Sequence, residues 1–150
     1  PDFSQGKFLF LEDVQDPGNV GTMIRTADAA GFTGVIVSDK SADIYSLKTL
    51  RSMQGSHFHL PIYRMSLASF VEEAKKSNLP ILATTLSKES KDYRELSPLE
   101  NFALVMGNEG QGISSVMAES ADQLVHIGMK GRAESLNVAV AAGILMFYFS

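Results

Sequence analysis

Ile127-Gly-Met-Lys-Gly-Arg-Ala-Glu-Ser-Leu-Asn-Val-Ala-Val-Ala-Ala-Gly-Ile144, running out through Leu145 to Ser150, is the stretch that decides the fold. A polar loop punctuated by glycine feeds directly into a helix that is apolar on nearly every side. Such a helix is buried, against other elements or against another chain. Ser135-Leu-Asn137 stands at its mouth, beside backbone N–H donors that have no partner within the helix. A small polar ligand can be held at such a place. Capping of the helix by Ser135 is the structural alternative and is expected alongside it.

Working back toward the N-terminus, strand-like and helix-like stretches alternate. Apolar spacing predicts a helix over Asn19–Ala30, with Val20, Met23, Ile24 and Ala27 on one side and Gly31 as its stop. Shorter or amphipathic helices are predicted over Ser46–Met53, Leu67–Lys76 and Ser114–Ser120. Strands are predicted over Lys7–Glu12, Gly34–Ser38, Pro80–Thr85, Phe102–Met106 and Gln123–Ile127. His59–Tyr63 is a weaker strand, and Pro61 assigns it to an edge. The alternation predicts an α/β fold on a parallel sheet covered on both faces, with ligands at the carboxyl ends of the strands. Ser87–Pro98 is charged and lacks apolar periodicity, so it is expected to be an exposed, mobile loop.

Bulk properties narrow the function. The chain has 150 residues, 45% apolar and 20% charged, which predicts one domain with a real core. Its net charge of −4 provides no general field for nucleic acid, so any RNA surface must be a local patch or lie outside this chain. The absence of cysteine excludes disulfides and thiolate chemistry. His57, His59 and His126 lack cysteine partners, and no metal site is expected; His57 and His59 are expected on one strand face. The C-terminal apolar run falls short of the roughly 20 residues needed to span a bilayer and is interrupted by Gly143. The chain opens at Pro1 without a methionine, and a substrate-binding domain N-terminal to it is expected to lie outside these residues.

Three segments can carry chemistry. Asp16-Pro-Gly-Asn19 opens the helix that bears Arg25, with Asn19 as the expected N-cap. A well-made strand-to-helix turn accounts fully for Pro17 and Gly18 and less well for Arg25. A guanidinium among Met23, Ile24, Ala27 and Ala29 must reach solvent or bind an anion, and its planar fork suits phosphate. Gly107-Asn-Glu-Gly-Gln-Gly112 follows a buried strand, and its glycines allow close backbone approach to a ligand. It matches neither a P-loop nor a dinucleotide fingerprint. Glu109 within it is expected to pair with Arg25 or to orient a substrate hydroxyl. The third segment is Gly128–Asn137, with Gly128 and Gly131 freeing the backbone and Ser135 and Asn137 offering side chains.

Taken together, these segments resemble the SpoU (TrmH) family of RNA ribose 2′-O-methyltransferases of the SPOUT superfamily. The family's first motif matches as Asn19-Val-Gly-Thr-Met-Ile-Arg25 and its second as Leu104-Val-Met-Gly-Asn-Glu-Gly-Gln-Gly112. The third matches as Ile127 through Ala142. The resemblance covers nearly the whole chain, in the family's order and spacing. It implies a SPOUT methyltransferase fold with a C-terminal deep trefoil knot. It also implies a homodimer and S-adenosylmethionine as methyl donor, with no metal. Gly107, Ile127, Met129 and Leu136 would contact the donor by backbone and apolar groups, with Ser135 and Asn137 shaping the pocket. Arg25, Asn19, Glu109, Ser135 and Asn137 would carry catalysis.

A free guanidinium almost never gives up its proton. Arg25 is therefore expected to act electrostatically and by positioning, through RNA phosphate, with Asn19 and Glu109 ordering it and the RNA. Gly128 departs from the family, which usually has proline there, and is expected to loosen that loop. Candidate local RNA contacts are Lys48, Arg51, Arg64, Lys130 and Arg132. The function expected is methylation of a ribose 2′-hydroxyl in the cytoplasm, with ribosomal RNA favoured as substrate. Transfer RNA, a non-catalytic RNA-binding or assembly module of the same fold, and a generic nucleotide-binding domain are the alternatives.

Overall fold

The computed structural model describes residues 1–56, 59–132 and 135–150. Among these residues, seven strands form one sheet in the order β3-β2-β1-β6-β4-β7-β5. They are β1 (Lys7–Leu11), β2 (Gly34–Val37), β3 (Ile62–Arg64), β4 (Ile81–Thr84), β5 (Lys91–Asp92), β6 (Phe102–Met106) and β7 (Gln123–His126). Every neighbouring pair is parallel. The helices are α1 (Pro17–Ala29), α2 (Leu47–Met53), α3 (Leu67–Lys76), α4 (Ser115–Ser120) and α5 (Val138–Phe149). The α/β class, the parallel sheet and the edge position of the strand after Pro61 agree with the sequence reading.

Period-two alternation explains why the sheet is covered twice. In β1, Leu9 and Leu11 face one core with Val35, Val37, Leu104 and Met106, closed by α1 and α5. Phe8 and Phe10 face the other with Ile36, Ile81 and Val105, closed by Phe70 of α3 and Met117 of α4. The Phe10 ring stacks on Phe70 with centroids 4.2 Å apart, and Phe3 meets Phe8 edge-on at 4.8 Å. Each large side chain buried in this way contributes about 1.5–3 kcal/mol.

α5 behaves as its composition requires on one side only. Ala139, Ala142, Leu145, Met146 and Phe149 are buried against the sheet and α1, while Val140 and Phe147 are 53% and 56% exposed. Its outward face is apolar and open.

Helix starts differ from expectation for local reasons. α1 begins at Pro17, and its cap is Asp16, whose carboxylate accepts from Gly18 N at 2.8 Å, not Asn19. Proline suits the first helical position because its ring presets φ and it has no N–H to satisfy. α5 is capped by Asn137, whose Oδ1 accepts from Ala139 N at 2.8 Å and Val140 N at 3.2 Å, not by Ser135. His57 lies outside the described residues. His59 is exposed and precedes β3, with Nδ1 at 3.7 Å from an Asp28 carboxylate oxygen.

Ser87–Pro98 is not a free loop. It contributes β5 at the sheet edge and a 3-10 turn at Tyr93–Glu95. Ser90 Oγ lies 2.7 Å from His126 Nδ1, and Tyr148 donates its hydroxyl to Leu96 O. The signal was invisible because a two-residue strand has no period to read.

Gly21 shows why the first motif carries a glycine in mid-helix. A Cβ there would lie 2.6 Å from the Thr49 carbonyl oxygen and 3.1 Å from Met53 N, so α1 and α2 touch backbone to backbone. Gly21→Ala is expected to destabilise the fold by about 1–3 kcal/mol in urea unfolding, as overpacking does. An unchanged midpoint would contradict this packing.

A candidate ligand cleft at the carboxyl ends of the strands

The carboxyl ends of β1, β6, β4 and β7 lie side by side, and the loops that leave them meet. The loop after β6 is folded on itself. Asn108 and Gly112 exchange backbone bonds at 3.1 and 2.9 Å, and Asn108 Oδ1 accepts from Gly110 N and Gln111 N, both at 2.9 Å. Gly112 has φ +71, a conformation that glycine adopts without steric cost. Gly107 is glycine for a different reason: a Cβ would overlap the backbone of Gly112 and Ile113. Closure of the loop thus explains the glycine that the sequence attributed to ligand approach.

This folded loop is bolted to the turn that opens α1. Asn108 Nδ2 donates to Asp13 O at 2.8 Å. Glu109 Oε2 accepts from Asp16 N at 2.7 Å and Oε1 from Gln15 N at 3.2 Å. The expected Glu109–Arg25 pair is absent among the described residues; the carboxylate is taken by backbone donors that no strand or helix would otherwise satisfy.

The third segment joins the same assembly. Asn137 Nδ2 donates to Asn19 Oδ1 at 3.2 Å while Asn137 Oδ1 caps α5. One amide therefore ties the first motif to the last helix. Ala133 and Glu134, within the third motif, lie outside the described residues.

Between these loops lies a cleft of about 260 Å³. Five of the residues singled out as donor contacts line it: Gly107, Ile127, Met129, Ser135 and Leu136. Asn137, Asn19 and Arg25 do not, whereas Glu109 does. The floor is apolar, from Met106, Val125 and Leu145. Thr84, Thr85 and Leu86, at the end of β4, form a further wall that the sequence reading missed. Their only signal was their place at a strand's carboxyl end. Among the described lining residues there is no lysine or arginine.

Arg25 sits on the exposed side of α1, outside the cleft wall, without a hydrogen bond or ion pair among the described residues. Of the basic residues proposed for RNA, Lys48, Arg51, Lys130 and Arg132 are exposed. Arg64 is committed elsewhere: Nη1 donates to Ser38 O at 2.7 Å and Nη2 to Ala42 O at 3.2 Å, holding the loop after β2. A smaller cavity of about 170 Å³ lies over Glu12, Asp13, Ser38 and Ser66. Its polar groups bond each other, with Ser38 Oγ donating to Asp13 at 2.7 Å, and Glu12 accepts from Ser114 N at 2.9 Å.

The model of the SpoU rRNA methylase family matches residues 6–147. The chain belongs to this family. As a SpoU chain it is 49% identical over 142 residues to the 23S rRNA (guanosine(2553)-2′-O)-methyltransferase RlmP of Bacillus subtilis, covering 95% of this chain and 57% of that protein. Among solved structures, the AdoMet-bound rRNA methyltransferase from Sinorhizobium meliloti superposes with a TM-score of 0.90 at 40% identity, over 95% of this chain and 54% of the other. The TrmH/SpoU tRNA modifying enzyme of A. aeolicus superposes with a TM-score of 0.84 at 35% identity, over 95% and 72%. The SpoU sequence here thus spans little more than half of the RlmP relative. The family resemblance and the SPOUT-type fold expected from the three motifs stand confirmed.

The two cap assignments separate by mutation. Asn137→Ala is expected to cost about 1 kcal/mol of stability, the usual loss for an N-cap. Ser135→Ala should stay within about 0.5 kcal/mol of the parent, as for a surface change. Equal losses in chemical denaturation would refute the cap assigned to Asn137.

Proposed function

We propose that this chain is the catalytic domain of an S-adenosylmethionine-dependent RNA methyltransferase that acts on a ribose 2′-hydroxyl, with ribosomal RNA as substrate. The observation that carries this reading is the cleft. Its volume of about 260 Å³ falls just below the roughly 300–1,000 Å³ range of small-molecule pockets, and its walls are apolar with backbone polar groups between them. That combination suits an adenosyl group. The missing lysine and arginine among the described lining residues suit a cationic sulfonium and would not serve a nucleoside polyphosphate. The AdoMet-bound Sinorhizobium structure, of the same fold, supports the same ligand.

When bound, S-adenosylmethionine supplies an electrophilic methyl group on a sulfonium. The chain's own residues do the rest. Ile127, Leu136 and Leu145 exclude water and fix the ligand's apolar part. Ser135 is exposed and lines the cleft; its hydroxyl is the group offered to the incoming ribose. Asn19, Asn137 and Glu109 act by holding the loops in register. Arg25 is charged and exposed; it binds the RNA phosphate beside the reacting nucleotide and leaves the ribose proton to another acceptor. Alignment of nucleophile and methyl donor supplies most of the acceleration.

Ribosomal RNA is preferred to transfer RNA because the relative at 49% identity is a 23S rRNA methyltransferase, against 35% for the tRNA-modifying structure. The open apolar face of α5, with Val140 and Phe147, supports a homodimer, since exposed apolar patches mark interaction surfaces. A C-terminal knot is part of the proposal: α5 and the segment before it pack on residues 92–99, through Gly128 to Asp92, Tyr148 to Leu96 and Leu99 to Phe149. No helix among the described residues is long and apolar enough to cross a membrane, and the cytoplasm is the proposed place of action.

Calorimetry is expected to show S-adenosylhomocysteine binding to the chain. Arg25→Ala should retain that affinity within about twofold while methyl transfer to RNA falls by at least about 100-fold, the scale of a lost transition-state contact. Transfer that survives in Arg25→Ala would refute the role given to this residue.

A further inference from the structure

Residues 90–94 touch the cleft at second hand. β5 pairs with β7 through Lys91–Val125 and Asp92–His126, beside the cleft-lining His126, Ile127 and Met129. The Asp92 side chain is only 16% exposed. Its Oδ2 accepts from Gly128 N at 3.0 Å and Arg94 Nη2 at 2.9 Å. Its Oδ1 accepts from Arg94 N at 3.0 Å and Arg94 Nε at 2.9 Å. The guanidinium thus clamps the carboxylate in the two-point geometry that fixes orientation as well as distance.

The same contact explains a glycine. Gly128 does not have a positive φ, so its backbone is open to other residues. Space is what disfavours them: a Cβ at this position would lie 2.5 Å from Asp92 Oδ2 and 3.3 Å from Arg94 Nη2, so the carboxylate would have to move aside. Proline would in addition remove the N–H that Asp92 receives. Gly128 does not loosen the loop, as the sequence suggested; it admits the carboxylate that fastens it.

We propose that Asp92 is a positioning residue for the ligand cleft: clamped by Arg94, it fixes the peptide between Ile127 and Met129 and so sets the wall that these residues present. Asp92 does not line the cleft itself and acts through Gly128. The inference rests on reading the cleft as the S-adenosylmethionine site. Hydrogen bonds from Arg94, first from its side chain and then from its backbone, hold the Asp92 carboxyl well below the usual carboxylate range. A carboxylate so stabilised loses its contribution only as pH falls through that lowered value. The clasp therefore stays charged across neutral and mildly acidic solution.

The test is calorimetry with S-adenosylhomocysteine on the full chain, with thermal unfolding measured in parallel. Asp92→Ala is expected to weaken binding about tenfold, and Gly128→Ala to weaken it similarly by displacing the carboxylate. The two effects should not add, because both act through one contact: the double variant should bind no worse than Asp92→Ala alone. The losses should persist at a temperature where the parallel unfolding curves show each variant fully folded, which a merely structural role would not produce. Should Asp92→Ala fail to fold, Asp92→Asn keeps the size but cannot accept on both sides, and a loss of at least about threefold is expected. Failure of the wild-type chain to bind overturns the reading of the cleft and this inference with it. Wild-type binding together with parental affinity in Asp92→Ala or Asp92→Asn, or with additive losses, overturns the inference alone.

Discussion

The backbone N–H groups of Gln15 and Asp16 leave the end of β1 with no strand or helix partner, and the Glu109 carboxylate satisfies both. The rest of the site depends on that bond. Both bonds are exposed, so each contributes on the order of 0.5–1.5 kcal/mol rather than a desolvation penalty, and together they tie the turn before α1 to the loop after β6. Asn108 strengthens the joint by donating to Asp13 O while its own carbonyl oxygen closes the loop. With those two loops fixed, α1 has one direction to leave in, and Asn19 meets Asn137 across the gap. Three segments remote in sequence become one wall without a metal, a disulfide or a charged pair between them among the described residues.

Much of this was legible in the sequence because period and composition carried it. β6 and α3 have the bounds their apolar spacing gave, Phe102–Met106 and Leu67–Lys76. The edge assignment after Pro61 followed from a missing donor. The three motifs were enough to place five of the cleft's lining residues. What sequence could not decide was competition among equivalent polar groups. Asp16 and Asn19 are both good caps, and Pro17 settles the matter by fixing the first helical residue. Ser135 and Asn137 are both good caps, and the partner on α1 favours Asn137.

Long-range partners were harder still. Glu109 looked like an acid in search of Arg25, and its true partners are N–H groups more than ninety residues away. Asp92 and Arg94 read as a solvated charged loop because β5 is too short to show a period. The charge balance misled less than it might have. A net charge of −4 coexists with exposed Arg25, Lys48, Arg51, Lys130 and Arg132, while Arg64, equally basic in sequence, is spent on the carbonyls of its own loop.

Backbone amide shifts, followed by NMR while S-adenosylhomocysteine is titrated into the chain, test the central claim most directly. The account predicts that Gly107, Ile127, Met129 and Leu136 shift together, with Glu12, Ser38 and Ser66 at the smaller cavity unmoved. Shifts concentrated at that smaller cavity, or none near Gly107 and Ile127, would contradict it.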